Sequence, residues 1–197
     1  MVSVHDVAAF LLAELGPDVG AMKLQKLVYY AQAWSLVWDE RPLFPEPIQA
    51  WDKGPVVAEL WERCSPTPSV ERIAGDASKL ADHQRATIAA VLAFYGGRSG
   101  TWLSQLTHRE SPWVEARARA KGSQKPIITQ AVMRTFFAGY HAPARHIPDS
   151  IARGLELVVG LPEHLVGDVL HGQATEVPGV EDWLETGEGD PWQMSGA

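Results

Sequence analysis

The sequence has a single cysteine, no long apolar run and no excess of basic residues. With only Cys64 available, an internal disulfide framework is excluded, and no group of Cys and His residues has the spacing of a structural zinc site. No stretch approaches the roughly 18 to 20 uninterrupted apolar residues of a membrane span. The apolar start of the chain has acidic flanks, whereas a secretion signal has a basic one. We therefore expect a cytoplasmic protein with no membrane segment.

Catalytic signatures are also missing from the sequence. It contains no Gly-rich phosphate loop, nucleophile elbow, metalloprotease helix or dinucleotide fingerprint. The spacing of His141, His146 and Asp149 fits no known metal site. His108 has the chemistry of a general base, but the sequence supplies no nucleophile or orienting acid for it, which favours a structural, hydrogen-bonded histidine. We therefore expect no enzyme activity, no metal and no cofactor.

Charge is divided unevenly along the chain. The formal net charge is −7, which argues against a general nucleic-acid binder, since such proteins concentrate basic residues. Residues 1–140 contain 15 Lys and Arg against 14 Asp and Glu, whereas residues 141–197 contain 2 against 10. The last part of the chain, from 172, is acidic and rich in Gly and Pro, which is typical of a segment that orders only when bound.

The spacing of apolar residues predicts a mainly α-helical body. Ser3 and Asp6 have the spacing of a helix cap before a first amphipathic helix. A second helix is predicted from about residue 22 to residue 38, and it is central because apolar or aromatic residues occupy more than one of its faces. The polar residues of this helix that are expected to face away from its apolar stripe are Lys23, Gln25 and Lys26.

The proline-rich stretch from 39 to 53 predicts short extended pieces, either a small hairpin or an ordered loop. Gly54-Pro55 is then expected to start a helix, because proline at the first helical position loses no needed hydrogen bond. Asp52 and Lys53 would stand at the mouth of that helix, where free N–H groups can hold an anion. An ordinary helix start is the favoured interpretation of this segment.

Later apolar stripes predict a long helix over about 80–95 and a short one around Trp102, and then a helix begun by Ser111-Pro112 and another capped by Thr129. The predicted fold is a compact, mainly α domain over residues 1–140 with a small β-hairpin or short extended element. Two short helices over 141–171 and an acidic tail over 172–197 form a C-terminal extension.

Eight tryptophans stand out, because tryptophan is enriched among the residues that anchor protein interfaces. Trp34, Trp61 and Trp102 have the spacing of core residues on helices. Trp183 and Trp192 lie in the acidic tail, where they combine aromatic area with negative charge.

Two blocks of the sequence resemble the Panacea domain, a phage-associated, SocA-like antitoxin family. The first block, residues 22–61, is MKLQKLVYYAQAWSLVWDERPLFPEPIQAWDKGPVVAELW. It combines a K-L-Q-K-L helix, an aromatic second turn, a proline-rich strand region and the A-W-x-x-G-P-V junction. The second block consists of TWLSQLTH at 101–108 and SPW at 111–113. The likeness spans about residues 3–140.

This resemblance implies an antitoxin that neutralises a cognate toxin by direct protein contact. Toxins paired with the family include alarmone-synthetase-like enzymes that modify tRNA. One relative delivers its toxin to the ClpXP protease, so a proteolytic adaptor is the alternative function. The family brings no catalytic residues. A hydrolase or nuclease with an unrecognised site is the least favoured hypothesis, and its candidate residues are His108, Asp52 and Glu59.

Partner contact is therefore predicted for aromatic, charged and turn residues in the matched blocks and the tail. The candidates are Trp38, Trp51, Asp52, Lys53, Gly54, Pro55, Glu59, His108, Trp113, Trp183 and Trp192. The acidic tail has three possible roles: it covers a basic toxin surface, it keeps the protein soluble, or it folds onto basic residues of its own body. Those basic residues are Arg109, Arg117, Arg119, Lys121 and Lys125. The sequence indicates neither the toxin nor an oligomeric state.

Overall fold

The structure, a computed structural model, describes residues 1–16, 19–64 and 69–139. The predicted short helices of 141–171 and the acidic tail of 172–197, with Trp183 and Trp192, lie outside the described residues. Within the described ranges no helix has the length and apolarity needed to cross a membrane.

The described residues form seven α-helices, a short 3₁₀ helix and one small antiparallel sheet, which confirms the mainly α fold with a minor β element. The helices are α1 (Val4–Leu15), α2 (Ala21–Trp38), α3 (Ala58–Cys64), α4 (Asp82–Tyr95), α5 (Gly100–Thr107), α6 (Ser111–Ala118) and α7 (Gln130–Gly139), and the 3₁₀ helix is Ala77–Lys79. The strands are β1 (Ile48–Trp51), β2 (Gly54–Val57) and β3 (Ile127–Ile128), in the sheet order β2-β1-β3.

Helix α1 begins with the capping box that the sequence predicts. The Ser3 backbone N–H donates to the Asp6 carboxylate at 2.9 Å, and the Asp6 N–H donates to Ser3 Oγ at 3.3 Å. Asp6 also accepts the Asp76 N–H at 2.8 Å and the Lys79 ammonium at 3.3 Å, which ties the 3₁₀ helix to α1. Burial raises the pKa of Asp6, but these hydrogen bonds outweigh it and hold the pKa well below its usual range.

Helix α2 is the centre of the molecule, as predicted, and packs against α1, α4, α5, α7 and β2. Almost every face of α2 is buried. Its buried residues are not only apolar, because several polar side chains of the helix also lie inside the protein and form hydrogen bonds there. The expectation that Gln25 and Lys26 face away from the core is wrong, since each is only 1% exposed. Both side chains bind backbone groups of β2, and a helical apolar pattern carries no information about such distant partners.

A hairpin is present, but only its first strand lies within the predicted stretch 39–53, and the predicted helix start at Gly54-Pro55 is wrong. Residues 54–57 form β2, which pairs antiparallel with β1, and α3 begins only at Ala58. Gly54 has φ +99°, a value outside the helical region. Pro55 lies on an edge strand, where a missing N–H is tolerated, and the β-branched Val56 and Val57 favour the extended backbone. Because no helix begins at Gly54-Pro55, the free helical N–H groups on which an anion site at Asp52 and Lys53 depended are not there.

The later helices agree with their predicted positions. Helix α6 has proline in its first turn, although the cap position is Glu110 and not Ser111. Thr129 Oγ1 accepts the Val132 N–H at 3.3 Å at the start of α7. Strand β3 precedes α7 and pairs with the free side of β1, which places the loop between α6 and β3 beside the hairpin.

Candidate partner-binding site at the hairpin

The turn between β1 and β2 lies against α5 and α6, and side chains of these helices bind its backbone carbonyls. The indole N–H of Trp113 donates to the Trp51 carbonyl at 2.9 Å. The Nε2 atom of His108 lies 2.9 Å from the Asp52 carbonyl. Two successive turn carbonyls are thus held by aromatic rings from residues that are far away in sequence.

The next carbonyl and the turn's acidic side chain are held as well. Ser104 Oγ donates to the Lys53 carbonyl at 3.0 Å. The Arg117 guanidinium pairs with the Asp52 carboxylate and also lies 3.5 Å from the Ala50 carbonyl. Because every carbonyl from residue 50 to residue 53 has a side-chain partner, the turn has little freedom to change shape. We call the four side chains the turn clamp: Ser104, His108, Trp113 and Arg117.

Local sequence places the clamp residues on one side of the helices. Ser104 and His108 are one helical turn apart, so both reach the same hairpin. Pro112 then starts α6, and Trp113 follows within its first turn. The rings of His108 and Trp113 are 4.1 Å apart between centroids. The second ring nitrogen of His108, Nδ1, faces the Ser104 carbonyl, so both nitrogens of this ring are occupied by backbone oxygens.

Beneath the turn, Gly54 provides a gap that a larger residue would fill. A Cβ atom at this position would lie 2.6 Å from Lys26 Nζ and 2.8 Å from Thr107 Oγ1. Lys26 Nζ donates to the Pro55 carbonyl at 2.9 Å. Gly54 and Pro55, the first two residues of β2, are buried, so these two partner-contact candidates are not exposed on the surface.

A buried acid connects the clamp to α2. Glu110, which precedes α6, accepts hydrogen bonds from the hydroxyls of Tyr29 at 3.0 Å and Tyr30 at 2.9 Å. Burial raises the pKa of Glu110 to about 8, although these hydrogen bonds and the Lys26 charge lower it. Burial lowers the pKa of Lys26 to about 7, with a partial compensation from Glu110. The K-L-Q-K-L helix and the block that contains Trp113 therefore meet in one buried polar cluster.

The exposed part of the hairpin combines an aromatic ring with charges of both signs. The Asp52 side chain is 87% exposed even while it pairs with Arg117, and Lys53 is exposed. Trp51 is partly buried, with Lys125 Nζ 3.6 Å above its ring centre and the Trp61 ring edge-on at 5.9 Å. We call this surface the hairpin face: Trp51, Asp52, Lys53 and Lys125.

Two other candidates lie apart from the hairpin face. Trp38 is at the end of α2, where its ring stacks on Trp34 with centroids 4.7 Å apart. Glu59 is on α3, and its carboxylate lies 3.3 Å from His5 Nε2. Trp183 and Trp192 lie outside the described residues.

The residues of the hydrolase hypothesis do not converge. His108 meets the backbone carbonyl of Asp52, the carboxylate of Asp52 pairs with Arg117, and Glu59 pairs with His5. In the described ranges no three His, Cys, Asp or Glu side chains are grouped so that they could hold a metal ion.

Cys64, the chain's only cysteine, is a buried thiol at the end of α3. Burial raises the pKa of this thiol to about 11, which suppresses the reactive thiolate at neutral pH.

Sequence reasoning missed two glutamines of α2 that bind backbone on both sides of the hairpin. Gln25 accepts the Val57 N–H at 2.9 Å and donates to the Val57 carbonyl at 3.4 Å. Gln32, two turns later, accepts the N–H groups of Leu43 and Phe44 at 2.8 and 3.2 Å and donates to the Phe44 carbonyl at 3.0 Å. Two amides seven residues apart within an apolar helix are the signal that could have found them.

The class that this geometry defines is a mainly α-helical domain that displays a clamped β-hairpin. Residues 24–114 match the family model of the antitoxin SocA-like, Panacea domain, which confirms the resemblance seen in the two sequence blocks. The match runs from α2 into α6 and includes the hairpin and three of the four clamp residues. No curated protein and no solved structure matches the chain.

Proposed function

We propose that this chain is the antitoxin of a toxin–antitoxin pair and that it neutralises a protein toxin by direct binding. The observation that carries the proposal is the family match, because the matched residues are the ones that build and clamp the hairpin. An antitoxin-like domain supports a binding role over a catalytic one. The side chains of His108, Asp52 and Glu59 each engage a different partner, which agrees with that role.

The geometry supports the hairpin face as the toxin contact. A turn whose carbonyls are already bound loses little conformational entropy when a partner docks, and such preorganisation favours affinity. The exposed Asp52 and Lys53 offer charges for orientation, and the Trp51 ring beside them offers the aromatic area typical of interface anchors. His108 and Trp113 are then positioning residues that act through the turn backbone.

The remaining partner-contact candidates have different roles in this proposal. Gly54 and Pro55 shape the hairpin from below. Trp38 and Glu59, which lie apart from the hairpin face, would contact the toxin only through a second surface. A toxin that modifies tRNA is one candidate partner, because the toxins paired with the family that this chain resembles include such enzymes.

Co-expression with the product of the adjacent gene tests the proposal. That product should arrest growth when expressed alone and should be harmless beside this chain, and the two proteins should co-purify. A harmless neighbour, or one that stays toxic beside this protein, would refute the antitoxin function. The half-life of the neighbour distinguishes the two mechanisms: it is unchanged if binding neutralises, and it shortens in a ClpXP-dependent way if the chain is a proteolytic adaptor.

The contact surface is tested in the same strain. The charge-reversal pair Asp52→Lys and Lys53→Glu should abolish neutralisation, because it inverts the charges of the hairpin face. The matched control is Glu62→Lys with Arg63→Glu, which reverses two adjacent exposed charges on α3 and should leave neutralisation intact. Equal effects of both pairs would show that the hairpin face is not the contact.

A further inference from the structure

Charge is segregated along the C-terminal half of the chain more sharply than the net charge shows. Residues 116–148 contain no Asp or Glu, and residues 154–197 contain no Lys or Arg. In the described part, the acid-free stretch covers the end of α6, the loop to β3, β3 and α7. The protein thus carries one purely basic stretch and one purely acidic stretch on the same chain.

The structure places the basic stretch beside the hairpin face. Arg119 and Lys121 are exposed, and Lys125 lies over the Trp51 ring. Among the described residues, two carboxylates are paired with this stretch: that of Asp52, through Arg117, and that of Glu40, which lies 3.7 Å from the Arg134 guanidinium on α7. We call the surface formed by Arg119, Lys121 and Lys125 the basic loop surface.

We propose that the acidic segment 172–197 of the same chain binds the basic loop surface. This segment has six acidic residues and no basic one, so its charge complements the surface directly. Trp183 and Trp192, near these acids, add aromatic rings that can pack beside Trp51 or lie against the guanidinium and ammonium groups. The proposal concerns only this chain and stands whether or not the partner is a toxin.

The length of the chain permits this contact. Helix α7 starts two residues after β3, and its ten residues rise about 15 Å, so residue 139 ends a short distance from the basic loop surface. The 32 residues from 140 to 171 can span far more than that distance, at up to about 3.3 Å per residue. Covalent linkage also makes the contact intramolecular, which raises the effective concentration of the segment at the surface.

The contact would place the acidic segment over part of the hairpin face, because Lys125 belongs to both surfaces. The segment and an external partner would then compete for the same region.

Zero-length carbodiimide cross-linking of the full-length protein tests the proposal, because it joins a lysine ammonium to a carboxylate only where the two are in contact. Mass spectrometry should find carboxylates of segment 172–197 joined to Lys121 and Lys125 within the monomer, at least fivefold more than to Lys23 or Lys79. These cross-links should fall at least fivefold between 50 and 500 mM salt, since screening weakens exposed charge pairs. Arg119→Glu should reduce them at least threefold, whereas the exposed control Arg72→Glu should not.

Three results would overturn the proposal. The first is an even distribution of tail cross-links over all exposed lysines. The second is their confinement to covalent dimers, which would assign the basic loop surface to a second copy of the chain. The third is an unchanged yield in Arg119→Glu, which would show that the basic loop surface does not attract the segment.

Discussion

The indole N–H of Trp113 donates to the backbone carbonyl of Trp51 at 2.9 Å. One tryptophan, at the start of α6, thereby fixes the backbone of another at the end of β1, 62 residues earlier. The Trp51 side chain is partly buried, and Lys125 lies over its ring. The same bond therefore stabilises the fold and fixes the backbone that carries this ring.

Replacement of Trp113 by phenylalanine should weaken the hairpin with little loss of packing. The variant lacks the indole N–H and leaves the Trp51 carbonyl without its donor, at a cost of about 1 to 2 kcal/mol in the free energy of unfolding. Urea denaturation measures this loss. Trp61→Phe is the control, since Trp61 contacts Trp51 through its ring edge and should cost less. A Trp113→Phe variant as stable as Trp61→Phe would contradict the clamp.

Alanine at Gly54 should destabilise the protein by at least about 2 kcal/mol, because it combines a left-handed backbone with a steric clash. The added Cβ would lie 2.6 Å from Lys26 Nζ. Gly122→Ala separates the two effects, since Gly122 also has positive φ (+59°) but has no atom within 4 Å of a Cβ. Thermal or urea unfolding should show a clearly larger loss for Gly54→Ala. Equal losses would show that space beneath the turn is unimportant.

Glu110 should make stability depend on pH. Its pKa is raised from 4.5 to about 8 in the folded protein, so its stabilising contribution is complete below about pH 4.5 and is lost as pH rises through about 8. Between these values the free energy of unfolding of the native sequence should fall relative to Glu110→Gln, by at most about 1.4 kcal/mol per pH unit. Urea unfolding at pH 5, 6, 7 and 8 measures the difference. A constant difference across this range would mean that Glu110 is already ionised in the core.

Lys26 should act with the opposite sign and in a higher pH range. Its pKa is lowered from 10.5 to about 7, so its contribution is complete above about pH 10.5 and is lost as pH falls through about 7. The native sequence should therefore gain stability relative to Lys26→Met as pH rises from 7 to 10. Lys121→Met, at an exposed site, should show a much smaller change. A flat Lys26→Met difference would show that this ammonium stays charged.

Features set by neighbouring residues could be predicted from the sequence, whereas those set by distant contacts could not. The capping box of Ser3 and Asp6 depends on residues three apart, and it formed as predicted. Gly54-Pro55 is compatible with both a helix start and an edge strand. The choice depends on Gln25 and Lys26, about 30 residues earlier, which bind the backbone of residues 55 and 57.

The candidate site shows the same difference between features set by neighbouring residues and features set by distant contacts. The two blocks drew attention to His108, Trp113 and the hairpin residues as separate stretches of sequence. Their joining depends on the packing of α5 against β2 and of α6 against β1, contacts that no local pattern encodes. The structural histidine was foreseen for His108, and its two carbonyl partners agree with it. Gly54 is buried and Asp52 is exposed, although they are only two residues apart, and only the structure shows this difference.

In the proposed function, the clamped hairpin presents a preformed contact for a protein partner. The most direct measurement is the affinity of the purified partner for the native protein and for the double variant Asp52→Ala with Lys53→Ala, by titration calorimetry. We predict at least a tenfold loss of affinity for the variant, with an unfolding free energy within about 1 kcal/mol of the native value, because the Asp52–Arg117 pair that it removes is largely exposed. Unchanged affinity in a folded double variant would show that the hairpin face is not the partner contact.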